Sequence, residues 1–447
     1  MQGIARTRGA QANSVRHATP VSSEVIVPRE IAHSTLRLAG SQVFVSATIP
    51  LNATVGAVAA KELSGHEGLA GLSVGLAFAF SMISLFVVGS IASHLGRKPV
   101  ILAGLSLLCV GAFLCGLAIW AGSFALLVVG TAIFGCGQGP ALLGRAAAAD
   151  LYPPVLRGRG VGTVATAGAI GAVTGPLLAI AAESVAGSAG LERGAGPFLL
   201  VPALGALCIW LIVGLRPDPR AVASDLRRWY PALEPIPEPP PPRPRNQLIR
   251  LGPARAAIIA TGLAQAAMVG VMSITSVSLG DDGWADWQVQ VLMSAHFFGM
   301  FALAYPVGLL VDRVGRRRTT LLGVGICALA AYGCAVTGSS PLIAPFFFLL
   351  GLGWSACFVA GTTVMADVTS PQERGVLTAT NDLLVAGCAA VASLAAGGIL
   401  AGAGFWAVGV LFGSLMVFAL PGLLRLQEPR IGEYEERPSS ALAGTAA

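Results

Sequence analysis

Three ionisable residues stand inside long apolar stretches of this sequence: Asp382, His296 and Arg145. A charge in such surroundings is costly to keep and points to function. Asp382 is the one acid well inside a stretch, about 10 Å from its start at 1.5 Å per helical residue, and is a candidate to take up and release a proton. His296 could carry a proton or touch a ligand, or it could be a hydrogen-bonded packing residue. Arg145 could attract an anion, or extend its head group to the interface. Uncharged groups in comparable stretches, Asn52, Gln138 and Gln265, together with the indole of Trp354, could hold a neutral molecule by hydrogen bonds and ring contact. The residue types for hydrolytic or nucleotide chemistry do not assemble. Gly135-Cys-Gly-Gln-Gly139 has no lysine to meet a phosphate, and no His-Glu-x-x-His occurs. The eight cysteines all lie in apolar runs without a C-x-x-C pair, which reads as small buried hydrophobes. No enzyme activity, metal or cofactor is expected.

The elements that position these residues follow from composition. Of 447 residues 55% are hydrophobic and 11% charged, against about 25% charged in soluble domains. A membrane-crossing helix needs roughly 20 apolar residues. Six such runs cover residues 36–60, 69–92, two helices in 99–149 with a turn at Ala121-Gly122-Ser123, 160–182 and 197–215. Residues 216–250 then carry ten prolines with arginines between them, the composition of an extended polar linker. Six more runs follow at 256–280, 287–311, 319–337, 341–366, 375–396 and 402–424. The expected organisation is a disordered cytoplasmic tail over 1–35, with no cleavable signal peptide. A six-helix half over 36–215, a cytoplasmic linker over 216–250, a second half over 251–425 and a cytoplasmic tail over 426–447 complete it.

Net charge is +6, and its placement argues for membrane topology rather than nucleic-acid binding. With both termini cytoplasmic, Lys61 and Arg193 alone among 28 basic residues fall outside. The positive-inside rule selects this orientation and a multi-pass place in the cell membrane.

The two halves repeat. Gly89 to Lys98 after the second run matches Gly308 to Arg317 after the eighth, and Asp150 precedes Arg157 by seven residues as Asp367 precedes Arg374. Both matches fall at nearly one offset, so the fold class expected is all-α: twelve transmembrane helices as two six-helix repeats. Transporters of this build hold their substrate between the repeats near the midplane.

Gly308-x3-Asp312-Arg313-x-Gly315-Arg316-Arg317 resembles the loop motif that follows the second helix of each half in the major facilitator superfamily, and the resemblance extends over 36–425. It implies a cytoplasmic latch. An acid, Asp312, would sit near a helix amino terminus of the opposite half. An arginine, Arg316 or Arg97, would pair with an acid of its own half, Asp367 or Asp150. Gly89, Arg313, Gly315, Arg157 and Arg374 belong to the same loops. In the first copy Ser93 stands in the acid's place and His94 in an arginine's, which implies a weaker latch there. Gly162-x8-Gly171-x3-Gly175-Pro176 resembles the helix-five motif of drug–proton antiporters with twelve helices, although Ala179 and Ile180 replace its last glycines, and Thr131 stands where their helix four carries arginine. In that family the first, fourth, seventh and tenth helices line the cavity. Here they offer Ser46, Asn52, Gln138, Gln265, Met268, Trp354 and Thr362, a neutral lining suited to an amphipathic or aromatic compound.

The resemblance implies a monomeric secondary transporter in the lipid bilayer, moving a small molecule by alternating access. Proton-coupled export is the leading expectation. Proton-coupled nutrient uptake, and a non-transporting sensor or assembly factor on the same fold, are the alternatives.

Overall fold

In lipid a backbone amide finds no water, so a long apolar run must satisfy its N–H and C=O groups within itself. The computed structural model describes residues 26–153, 156–231 and 242–424, with 89–94 and 371–372 described by backbone alone. Twelve helices in it are long and apolar enough to cross a membrane. They are α1 (Arg29–Ser64), α2 (Leu72–Leu95), α3 (Arg97–Trp120), α4 (Phe124–Asp150), α5 (Arg157–Ser188) and α6 (Ala195–Val213), then α7 (Gly252–Asp281), α8 (Asp286–Val314), α9 (Arg316–Thr337), α10 (Ile343–Asp367), α11 (Pro371–Ala403) and α12 (Phe405–Leu424). The protein is an all-α membrane protein of two six-helix halves, with no strand among the described residues.

The helices outrun the apolar runs. Helix α1 begins at Arg29 rather than 36, because Ile31, Ser34 and Thr35 have a buried face to fill and Thr35 Oγ1 meets Tyr152 Oη at 3.0 Å. What remains of the expected tail, 1–25, lies outside the described residues, as do 425–447 and the linker stretch 232–241. The rest of the linker is more structured than its prolines suggest. Short helices occupy Pro219–Ser224, Leu226–Trp229 and Arg245–Arg250. Asp218 caps the first by accepting from Arg220 N at 2.8 Å, and Asp225 caps the second. Tyr230 is buried against the first half and donates to Leu151 O at 3.0 Å.

The turns between α2 and α3 and between α8 and α9 are built alike. Gly96 and Gly315 take φ of +88° and +99° immediately before Arg97 and Arg316. A side chain would strain both positions, so the Gly-Arg step of each repeat has a backbone reason.

Each half has its own core. That of the first runs from Ile31 through Leu105 and Phe134 to Ile212. That of the second, built on α7 to α12, also takes in Ala172 of α5 and, from the first two helices and the segment between them, Ala53, Ala57, Ala70 and Val74. These four lie toward the ends of α1 and α2 remote from the termini. The halves therefore share a core on the face opposite the termini, called the far face below; the other is the terminal face. In α1 a π-helical turn, Asn52–Gly56, follows Pro50 at this junction.

Candidate functional site

On the terminal face the two repeats place the same pair. Arg97 Nε donates to Asp150 Oδ2 at 2.9 Å, and Arg316 Nε donates to Asp367 Oδ2 at 2.8 Å. Each joins the start of the third helix of its half to the end of the fourth. The second pair is the more buried, with side chains 12% and 13% exposed against 31% and 29%. Asp312 lies 3.9 Å from Arg316 and is 71% exposed, engaged with its own half. Arg374 Nε caps Ala366 O at 3.2 Å, whereas its counterpart Arg157 keeps a buried Nε without a hydrogen-bond partner. Arg313 is exposed, and Gly308 has no atom near it that a Cβ would meet. Gly89 lies in α2 where the backbone alone is described; the side chains of Ser93 and His94 lie outside the described residues.

The linker adds a clasp that sequence reasoning missed. Arg243 donates to Glu373 from Nε and Nη2, each at 2.6 Å, from its backbone N at 2.9 Å, and to Val368 O at 2.9 Å. Glu373 also accepts from Ser370 N at 2.9 Å, closing a capping box at the start of α11. Ser370-Pro-Gln-Glu373 was the signal that could have found it.

Near the middle of the bundle, Trp354 Nε1 donates to Gln265 Oε1 at 2.7 Å. The indole stacks on Phe358 (centroids 4.9 Å, 11°) and meets the edge of Phe301 at 5.7 Å. In the other half Gln138 Oε1 and Gln42 Oε1 are buried without hydrogen-bond partners. Asn52 is engaged locally: it accepts from Ser73 Oγ at 2.9 Å. That serine belongs to Gly71-Leu-Ser73-Val-Gly75, whose spacing matches a hydrolase nucleophile turn, but here it sits in a membrane helix serving Asn52.

Asp382 is partly buried, about 16 Å along α11 from Pro371 at 1.5 Å per residue. Arg145 of α4, in the opposite half, is exposed. Beside Asp382, Asn381 accepts from Thr261 Oγ1 at 2.7 Å. His296 is fully buried; its Nδ1 meets Phe347 O at 2.7 Å and its ring lies tilted by 32° against that of Phe347, centroids 4.5 Å apart. It stands in the α8–α10 contact.

The helix-five glycines divide. A Cβ at Gly171 would drive into the Val43 carbonyl and one at Gly175 into that of Ala47, so both set the close approach of α5 to α1. Gly162 has open space around it. Pro176 is buried within a helix that continues through it.

The far face is closed. Lys61 pairs with Asp281 and Arg193 with Asp286, both between the halves. The Asp286 carboxylate holds the Arg193 guanidinium above its usual pKa. Gln290 Nε2 donates to Thr54 Oγ1 at 3.1 Å, Ser276 Oγ to Thr54 O at 3.3 Å, and Ser393 Oγ to Gly71 O at 2.8 Å. Among the described residues no group of three or more His, Cys, Asp or Glu could hold a metal.

Two like six-helix halves, joined at one face and bearing matched charge pairs at the other, are the architecture of a membrane transporter. The family model of the Major Facilitator Superfamily matches residues 38–279 and 256–443. The uncharacterized MFS-type transporter YdeG of Bacillus subtilis strain 168 is 30% identical over 85% of this chain and 89% of its own length. The riboflavin transporter RfnT of Brucella anthropi is 25% identical over 85% and 92%. The crystal structure of a bacterial homolog of the human lysosomal transporter Spinster, inward-facing and unoccupied, superposes with a TM-score of 0.63 at 17% identity, over 89% of this chain and 96% of that one. The chain belongs to the major facilitator superfamily and is a transporter of small molecules.

Proposed function

We propose that this protein exports a small, uncharged amphipathic or aromatic compound in exchange for protons, by rocking its two halves about a midplane site. The observation that carries this reading is Asp382. It is a partly buried acid about three turns into α11, next to Asn381, which ties that helix to Thr261 of α7. A carboxyl there can exchange its proton with one side at a time. The neutral polar and aromatic groups Gln138, Gln265 and Trp354 form the cargo site. The protein works as a monomer in the cell membrane, carries no cofactor and does no covalent chemistry. The terminal face is cytoplasmic, a reading supported by the arginines gathered there. Arg97–Asp150 and Arg316–Asp367 are the fixed parts of the latch, and Asp312 is the part that engages α5 when that side closes.

A second reading of the cargo is a planar heterocycle. The parallel Trp354–Phe358 pair favours it, as does a relative named for riboflavin transport.

The test is accumulation of fluorescent amphipathic compounds in bacteria stripped of their main efflux pumps, with and without this protein. Lower accumulation, abolished by a protonophore and by Asp382→Asn, supports export. Higher accumulation makes uptake the direction.

A further inference from the structure

The far-face loops and helix ends carry two basic residues, Lys61 and Arg193, among several acids. Each has an acid beside it in the chain, Glu62 and Glu192. Each nevertheless pairs across the molecule. Lys61, near the end of α1, bonds Asp281 at the end of α7. Arg193, between α5 and α6, bonds Asp286 at the start of α8 through both carboxylate oxygens, one at 2.6 Å. Adjacent residues on a helix do not face each other, and the partners both cations reach lie in the other half. Both pairs run from the first half to the second. On the terminal face Arg97–Asp150 and Arg316–Asp367 each remain within one half.

Beneath the pairs the halves are pinned by neutral contacts. Thr54, in the π turn of α1, accepts from Ser276 of α7 and Gln290 of α8, and Ser393 of α11 donates to Gly71 beside α2. The shared core of Ala53, Ala57, Ala70 and Val74 lies with them. These contacts are buried; the ion pairs are on the rim and partly exposed, with side chains 24% and 46% exposed in one pair and 69% and 54% in the other. Exposed pairs are individually weak and cheap to break. A weak rim over a dry seam can shift a balance between two states without locking either.

We infer that Lys61–Asp281 and Arg193–Asp286 are a matched pair of electrostatic bolts that set how often the far face opens. Both break when the halves rock. This rests on the alternating motion of the halves and holds whatever the cargo is.

The test uses the full chain in lipid nanodiscs with a reporter, Ala57→Cys. Ala57 is fully buried in the shared core. A membrane-impermeant maleimide reaches it when the far face opens, and the parent, with its eight native cysteines, sets the background. Asp281→Asn and Asp286→Asn are each expected to speed labelling about two- to fivefold, the range an exposed pair supports, and the double variant more. Lys61→Asp alone should label fast, and Lys61→Asp with Asp281→Lys should return toward the parent rate. Equal labelling in parent and double variant overturns the inference, as does a reversed pair that labels as fast as Lys61→Asp alone. Motion is read separately: a disulfide between Lys61→Cys and Asp281→Cys should stop reporter labelling. If it does and charge has no effect, the bolts fail while the rocking stands. If the reporter never labels above background in any variant, both fail.

Discussion

Trp354 Nε1 donates to Gln265 Oε1 at 2.7 Å, tying α10 to α7 near the middle of the bundle. The bond satisfies the one donor an indole has and fixes the ring that stacks on Phe358. Trp354→Phe keeps an aromatic ring but leaves the Gln265 oxygen without its donor. Transport of an aromatic cargo should fall more with Gln265→Leu, which frees the indole, than with Thr362→Ala on the same α10. Concentration dependence checks this: a cargo site predicts a raised half-saturation constant, whereas a packing role predicts loss of folded protein at unchanged affinity.

The two charge pairs of the terminal face should differ in worth although the repeat makes them look alike. Arg316→Ala leaves Asp367, 13% exposed, without its partner, a change that costs about 3 kcal/mol when a charge is stranded in a buried site. Arg97→Ala leaves Asp150, 29% exposed, for which about 1 kcal/mol is expected from a solvent-screened pair. Thermal unfolding of the purified protein in one detergent ranks the two; equal losses would mean that burial does not set the difference.

Asp312 gives the opposite pattern. Its side chain is 71% exposed, so Asp312→Asn should change stability by no more than about 0.5 kcal/mol. If the carboxylate engages the amino terminus of α5 when the terminal face closes, transport should still drop severalfold. A variant that transports at the parent rate removes Asp312 from the latch.

These contrasts show what the sequence carries. The twelve spans were legible because hydropathy and the lipid backbone constraint act on each run by itself. Their ends were not: Arg29 to Thr35 read as tail, yet Thr35 is held by Tyr152, just past the terminal-face end of α4. The family resemblance implied Arg97 with Asp150 and Arg316 with Asp367, and both bonds are present; the internal repeat supplied the matching positions. Ten prolines concealed the short linker helices, whose Asp218 and Asp225 caps are local features that composition averages away. Thr54, Ser393 and the partners of Lys61 and Arg193 depend on how two separately folded halves meet, for which one chain's periodicity has no term.

The glycines of α5 offer a test within one motif. Gly171→Leu should abolish recovery of folded protein, because a side chain there meets the Val43 backbone of α1. Gly162→Ala should be tolerated, since a Cβ there meets no atom within 4 Å, and should gain a little from helix propensity. Yield of monodisperse protein after solubilisation separates the two. If Gly162→Ala fails to transport while folding normally, that glycine has a role in motion rather than packing.

The linker clasp should matter more to stability than its place in a proline-rich segment suggests. Glu373 is 4% exposed and Arg243 13%. Arg243→Ala strands a buried carboxylate at the start of α11, for which about 3–5 kcal/mol is expected. Glu373→Gln keeps an acceptor for Ser370 N but takes away the charge that the guanidinium pairs with, leaving it the Val368 carbonyl. The double variant Arg243→Ala with Glu373→Gln removes both charges, keeps the cap and should recover much of either single loss. Thermal unfolding of the four proteins gives the coupling directly. Losses that simply add would mean that Arg243 and Glu373 act independently, and that the linker is held to the second half by other contacts.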